Sequence, residues 1–501
     1  MTNRLIINTF FGVIARFVYI VITLYLNKVF IQQLGLDYLG LNATFNEIIG
    51  ILSFAELGIG VAISYELYKP LAEKDYLLVN KYVTLYSVIY KIIASCIFAF
   101  GVGVSLFLSK SINTTIDRSD IIIYFILFVF CNSISYLAAD KRTLIEANQQ
   151  NYIISIIDTS IQLIFTIIKC VFLVYYSSYI CFIIIYLIQN IVSVFAINIL
   201  CKKLFPWFKY VSLGFSREEI KKLFKLISSR IIIKFSNIAV NSTDNLIIST
   251  LINVATVGLF YNYKVIYNNV LVLASQFYYA LTPTLGNRFN DISFSKESNL
   301  IYVRKCEFIS TLLSVICCVL MIICSSTFIS LIYGAEYTMS NLTVFLLSFC
   351  FYIDINREIH WKVNHLKAGY PSKRLLMYFV RSITNIILSI VLCRLIGING
   401  VILGTIVSGI IIWFYEAYLM YGSVFRMTVT NYIRSQLKGA LFLTVVLLIS
   451  FHTTNLYDGY SDLYKLLLGL FIPLVIFIVC TYIFYRNDIH LLIKEIRYKL
   501  K

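Results

Sequence analysis

Apolar runs of roughly twenty residues, the length that crosses about 30 Å of hydrocarbon, recur along the chain. About fourteen stand out, at 6–30, 42–66, 82–108, 120–140, 152–175, 179–200, 226–252, 256–282, 306–332, 339–360, 375–396, 400–423, 438–452 and 463–485. The thirteenth is the shortest. The connections between them are short, and the pattern predicts an all-α polytopic membrane protein of about 14 transmembrane helices.

One run breaks the apolar pattern in an ordered way. Residues 228–250 read SSRIIIKFSNIAVNSTDNLIIST, and Arg230, Lys234, Asn237, Asn241 and Asp244 follow at i, i+4, i+7, i+11 and i+14. On a helix these positions share one face. A rise of about 1.5 Å per residue puts Lys234 roughly 7 Å from the middle of its span and Arg230 about 13 Å away, nearer the cytoplasmic mouth. Ionisable residues at that depth are functional candidates by default, because an unpaired charge in lipid costs several kcal/mol.

The stripe has a counterpart. Aligning Gly40 in LGLDYLGLNATFNEI (34–48) with Gly258 in LINVATVGLFYNYKVI (251–266) sets an offset of 218 residues. That offset places Arg16 on Lys234, Tyr19 on Asn237, Thr23 on Asn241 and Asn27 on Asn245. Two halves with a polar stripe on the first helix of each suggest two pseudo-symmetric six-helix lobes around a central cavity, a parallel repeat suited to alternating access. The expected divisions are an N-terminal lobe at 1–205, a basic cytoplasmic connection at 206–225, a C-terminal lobe at 226–425, and a terminal helix pair with a basic tail at 426–501.

Composition agrees with the span pattern. The chain is 59% hydrophobic and 13% charged, where a soluble protein carries about a quarter charged residues. The first run is too long for a signal-peptide core and lacks a small-residue cleavage site, so it is expected to remain. The 12 cysteines are scattered through spans without a CxxC pair and read as packing residues. Neither a metal site nor a cofactor is expected.

The net charge of +17 is distributed by topology. Lys69, Lys74, Lys81, Lys141, Arg142, Lys202, Lys203, Arg288, Lys296, Arg374 and the tail from Arg486 lie in alternate connections and the C-terminus. The opposite connections hold few cations, such as Lys28, Lys110 and Arg394. This asymmetry puts both termini in the cytoplasm. The basic excess then meets anionic membrane lipids, and nucleic acid is not an expected partner.

Further ionisable residues fall inside spans. Lys91, Lys264 and Arg381 join Arg16, Arg230, Lys234, Asn237 and Asn241 as candidate substrate-binding residues. Asp244 and Glu56, the latter beside Gly58 and Gly60, are candidate ion-coupling residues. Lys169 is read as snorkelling to the outer surface. Glu47, Asp158, Asp354, Arg357, Glu358 and Glu416 are read as ordinary interface charges near span ends. His360, His365, His452 and His490 are placed at span ends or in loops. With short external loops, that argues against a membrane-embedded enzyme.

The stretches LGLDYLGLNATFNEIIGILSFAELGIGVAISYELYKPLAEKD (34–75), KRTLIEANQQNYI (141–153), STDNLIISTLINVATVGLFYNYKVI (242–266) and WKVNHLKAGYPSKR (361–374) carry a resemblance spanning nearly the whole chain. The chain resembles the Wzx-type polysaccharide or lipid-linked oligosaccharide flippases. These form the polysaccharide transporter family of the multidrug/oligosaccharidyl-lipid/polysaccharide exporter superfamily. Many relatives have twelve spans, and the extra pair after residue 436 departs from them. The resemblance implies a multi-pass protein of the bacterial cytoplasmic membrane that flips a polyprenyl-pyrophosphate-linked glycan outward for surface polysaccharide such as capsule, O-antigen or exopolysaccharide. It also brings H+ or Na+ as candidate coupling ions and the polysaccharide polymerase as a candidate partner. The deep cations suit a diphosphate, since Arg offers a fork of donors to phosphate oxygens and Lys a point charge. The alternative is a cation-coupled multidrug exporter of the same superfamily, whose cationic cargo would call for an acidic cavity.

Overall fold

The computed structural model describes residues 2–56, 59–212, 238, 240, 242–291, 293–367, 372–454, 456 and 459–500. Side chains are described for these except 2–16, 55, 61–62, 372–373, 487 and 489–500. Regular structure among the described residues is helical, without strands. Ten of these helices are long and apolar enough to cross a membrane.

The remaining expected spans differ for physical reasons. The 42–66 run is divided into helix α2 (Leu36–Leu52) and helix α3 (Ile59–Glu73), with a 3-10 turn at Ser53–Glu56 between them. Most of 226–252 lies outside the described residues. The runs at 256–282 and 339–360 form long helices, Val254–Asn290 and Asn341–Lys367, whose polar content keeps them out of the apolar class. Their polar side chains turn inward: Asn262, Asn269, Asn356, His360 and Asn364 are all buried. A spanning helix with such a face is tolerable in lipid only where protein or a water-filled cavity covers it.

The α-carbons cluster into two compact units, Met1–Gly258 and Leu259–Lys501. In the first unit, α3 packs on α4 (Tyr76–Ser111) and α6 (Ala139–Ala147), α5 (Arg118–Ser135) lies between α4 and α8 (Tyr179–Leu204), and α7 (Asn151–Tyr176) packs on α8. The first helix, Thr2–Leu34, lies against α7. In the second unit, Lys296–Tyr333 packs on Asn341–Lys367, and Ser372–Ile396 forms a tight hairpin with Ile398–Leu419. Gly397, at φ 63°, makes the turn of that hairpin. The terminal pair, Thr430–Thr454 and Asp462–Leu500, packs on Lys296–Tyr333.

The aligned glycines of the repeat meet in the first unit. A Cβ on Gly40 would stand 1.9 Å from the Val254 carbonyl oxygen, and one on Gly258 would stand 2.6 Å from that of Leu36. Val254 is the 218-offset counterpart of Leu36, so the contact is reciprocal. The two segments touch as the two sides of a self-complementary contact do.

Candidate functional site

In the first unit an open cavity of about 750 Å³ is lined by α3 to α8 and the 3-10 turn. Glu56 enters it from that turn, and Tyr90 of α4 donates its hydroxyl to Glu56 Oε1. On the opposite wall Arg142 of α6 makes two bonds to Asp158 of α7, at 2.6 and 2.8 Å, and a third to Ser193 Oγ of α8 at 2.8 Å. Asp158 is therefore no lone interface charge: it ties three helices together beside the cavity. Charge-assisted, bidentate bonds of this kind are the strong ones.

Lys169 does not snorkel. Its side chain is buried, and its Nζ donates to Gln189 Oε1 at 2.6 Å across the α7–α8 contact. The Gln189 amide then donates to Gln162 Oε1 at 2.8 Å. Its stem and ammonium lie among Phe182 and Tyr186, whose ring centroids are 5.2 and 4.9 Å from Nζ. Hydropathy placed the residue near a span end, but cation–π contacts and an amide acceptor inside the unit outweigh the outward route.

The second unit gathers charge differently. Tyr267 donates to Asp354 Oδ2 at 2.7 Å, and Arg357 approaches the same carboxylate at 3.5 Å. Arg381 is buried with Arg357, Asp354 and Tyr378 as electrostatic neighbours, and its Nε lacks a hydrogen-bond partner. Lys264 stands over the Phe260 and Tyr267 rings at 5.2 and 5.7 Å. The next carboxylate along the helix, Glu358, pairs with Lys362 at 3.7 Å. Arg357 thus pairs with Asp354, Arg381 is buried in their electrostatic neighbourhood, and the Lys264 ammonium lies against the ring of the Tyr267 that donates to Asp354. Arg357 and Asp354 read in the sequence as ordinary interface charges near a span end; here they are half-buried and paired, on a helix that runs on to Lys367.

The other expected residues are distributed as follows. Arg16 lies on the described first helix, but its side chain is outside the description. Arg230, Lys234, Asn237 and Asn241 lie outside the described residues. Lys91 is exposed on α4, with Nζ 5.8 Å from the Tyr210 ring. Tyr210 in turn donates to Asp140 at 2.7 Å; burial, then that carboxylate, pushes its phenol above its ordinary range, so it stays a donor. Asp244 is buried at the start of helix Asp244–Leu251, where the Asn245 N–H donates to Glu47 Oε2 at 2.8 Å.

Two buried networks escaped the sequence reading. Glu416 is fully buried, accepting from Arg374 Nε and Tyr378 Oη at 2.9 Å each and from Asn364 Nδ2 at 2.6 Å. His360 is also fully buried, with Nε2 2.9 Å from Glu307 Oε1, while Tyr421 donates to Glu307 Oε2 at 2.8 Å. A signal existed for both: Asn364 and His360 share the polar helix Asn341–Lys367, and their partners Glu416, Arg374 and Glu307 are charges within apolar helices. Among the described residues no group of three or more His, Cys, Asp or Glu is placed to hold a metal ion.

A family model described as a polysaccharide biosynthesis protein matches residues 72–342. No curated protein matches the sequence. Among solved structures, the chain is similar to the lipid II flippase MurJ in an inward closed conformation, at a TM-score of 0.66 and 16% identity over 97% of this chain and all of that one. It is similar to an inward-facing multidrug resistance MATE transporter, at a TM-score of 0.63 and 12% identity over 81% and 96%. A third similar structure is a Pyrococcus furiosus transporter of the MOP superfamily, described as having a binding pocket of reverse polarity, at a TM-score of 0.52 and 12% identity over 85% and 96%. At such identities the likeness speaks for the fold.

Proposed function

Because the chain belongs to the polysaccharide biosynthesis protein family, we propose that it flips a polyprenyl-pyrophosphate-linked oligosaccharide from the cytoplasmic to the outer leaflet by alternating access. The cytoplasmic membrane of a bacterium would be its site and surface polysaccharide synthesis its pathway. MurJ, a flippase of a lipid-linked precursor with the same fold, supports the reading by analogy.

The observation that carries it is the cluster of Lys264, Arg357 and Arg381 in the neighbourhood of Asp354, with the Arg381 Nε buried and lacking a hydrogen-bond partner. Paired charges gain little from a ligand. A site with more guanidinium than carboxylate gains a great deal from a diphosphate, whose oxygens accept forked Arg donors. Opposite charges at about 4 Å in a poorly hydrated site interact by about 4 kcal/mol. Arg16, Lys234 and Lys91 are further candidate cations for the substrate, with Arg230 nearer the cytoplasmic side and Asn237 and Asn241 as neutral donors. The polyprenyl tail would stay in lipid while the polar part crosses.

The test is export of surface glycan in a deletion strain complemented with variants at matched expression. Arg381→Ala, Lys264→Ala, Arg16→Ala and Lys234→Ala should each lower export at least tenfold, and reversal to Glu should be worse. Lys234→Arg should retain part of the activity, and the exposed Lys296→Ala should export like wild type. Normal export from all four alanine variants would overturn the diphosphate reading.

A further inference from the structure

We propose that the first-unit cavity is a recognition pocket for the uncharged sugar portion of the cargo, taking a short neutral oligosaccharide. The proposal rests on the flippase reading above for the identity of that cargo. Its physical basis is separate, and lies in the lining of the cavity.

Size comes first. At about 750 Å³ the cavity falls within the roughly 300–1,000 Å³ of ligand pockets, far more than an ion needs. Its charges are already engaged. Arg142 spends its donors on Asp158 and Ser193, and Tyr90 occupies Glu56. Glu146, one helical turn beyond Arg142, also lines the space. Three carboxylates against one guanidinium make this a poor place for a diphosphate.

What the cavity offers instead is amides and phenols. The amide relay has a fixed direction, because a Lys ammonium only donates. Lys169 therefore makes Gln189 Oε1 an acceptor, the Gln189 NH2 must point to Gln162 Oε1, and the Gln162 NH2 is left as the outward donor. Asn190 is oriented likewise by donating to the Cys131 carbonyl at 3.0 Å, which turns its own oxygen the other way as an acceptor. A donor and an acceptor, each oriented by its own hydrogen bond and both lining the cavity, suit sugar hydroxyls, each of which both gives and takes a hydrogen bond.

The apolar faces of a sugar ring need flat partners. Tyr136 lines the cavity, and Tyr65 and Tyr68 stand exposed on α3 where it lines the same space. Gly60 keeps it open: a Cβ there would lie 2.5 Å from the Tyr86 hydroxyl and 3.6 Å from Glu56 Oε1. The obstacle is the tip of a side chain, so a larger residue is accommodated by filling the cavity.

The test uses the full chain in nanodiscs and calorimetry with three probes. These are the oligosaccharide released by mild acid from the source strain's lipid-linked repeat unit, sugar-free polyprenyl diphosphate, and tetraphenylphosphonium. The released oligosaccharide should bind wild type. Gln162→Ala and Asn190→Ala should weaken it about tenfold, and Gly60→Leu should abolish it. Lys169→Met, which leaves the lining but frees the relay, should weaken it while Lys169→Arg restores it. Polyprenyl diphosphate should bind all of these variants like wild type, which also certifies their folding. If the oligosaccharide fails to bind, binds Gly60→Leu normally, or is displaced by tetraphenylphosphonium, the sugar pocket is overturned. If it binds as expected but polyprenyl diphosphate does not bind wild type, the pocket stands and the flippase reading falls.

Discussion

Glu416 shows how much one carboxylate can hold when water is excluded. It joins three helices through Arg374, Tyr378 and Asn364, and neither it nor Arg374 is exposed. Removing one partner of a buried pair strands the other, at a cost of about 3–5 kcal/mol. Glu416→Ala should therefore lower the thermal midpoint of the purified protein sharply, whereas Lys69→Ala, whose pair with Glu73 is 82% and 60% exposed, should leave it unchanged. Equal midpoints for the two variants would mean that Arg374 is satisfied elsewhere. Glu416 reads in the sequence as an ordinary interface charge near a span end, yet it is fully buried on the helix Ile398–Leu419. Hydropathy marks apolar length and does not show which charge the packing encloses.

At the scale of elements, the crossing of Gly40 and Gly258 is the sharpest demand on sequence. Backbone carbonyls cannot step aside as side-chain tips do, and overpacking of this kind costs about 1–3 kcal/mol or more. Gly40→Ala and Gly258→Ala should each depress folded yield and thermal midpoint. Gly103→Ala, on α4 with nothing within 4 Å of its Cβ, should be neutral in the same assays. Normal behaviour of Gly40→Ala would show the crossing to be looser than described. The offset between the two glycines was legible in the sequence as a weak repeat. That they would touch each other was not, because similarity between segments carries no distance. The break of the second span at Ser53–Glu56 was missed for a related reason: its residues are apolar enough to read as one run, and the turn is set by local bonds such as Ser53 Oγ to the Gly50 carbonyl.

For the whole molecule, the coupling residues make the discriminating prediction. If Glu56 or Asp244 carries a coupling ion, Glu56→Gln or Asp244→Asn should slow turnover in proteoliposomes and remove its dependence on a proton or sodium gradient, with substrate still bound. Gradient-dependent flipping at the wild-type rate in both variants would leave them as structural charges. Their surroundings differ: Glu56 faces the first-unit cavity with Tyr90 upon it, whereas Asp244 is buried at a helix start beside the Glu47–Asn245 contact.

Apolar length, charge asymmetry and polar periodicity were enough to determine a polytopic helical membrane protein with a repeat, since each reflects the chain's exchange with lipid and water, position by position. They also marked Lys264, Arg381 and Glu56 as residues out of place in hydrocarbon. Which partners those residues have was decided only in three dimensions. Asp354 lies 90 positions beyond Lys264 in the chain and Arg381 a further 27, yet packing brings them into one neighbourhood. Lys169 and His360 are buried for the same reason, and Asp158 lines the cavity in its pair with Arg142. The free energy of a polar group in a membrane depends on what meets it, and that is a property of the fold.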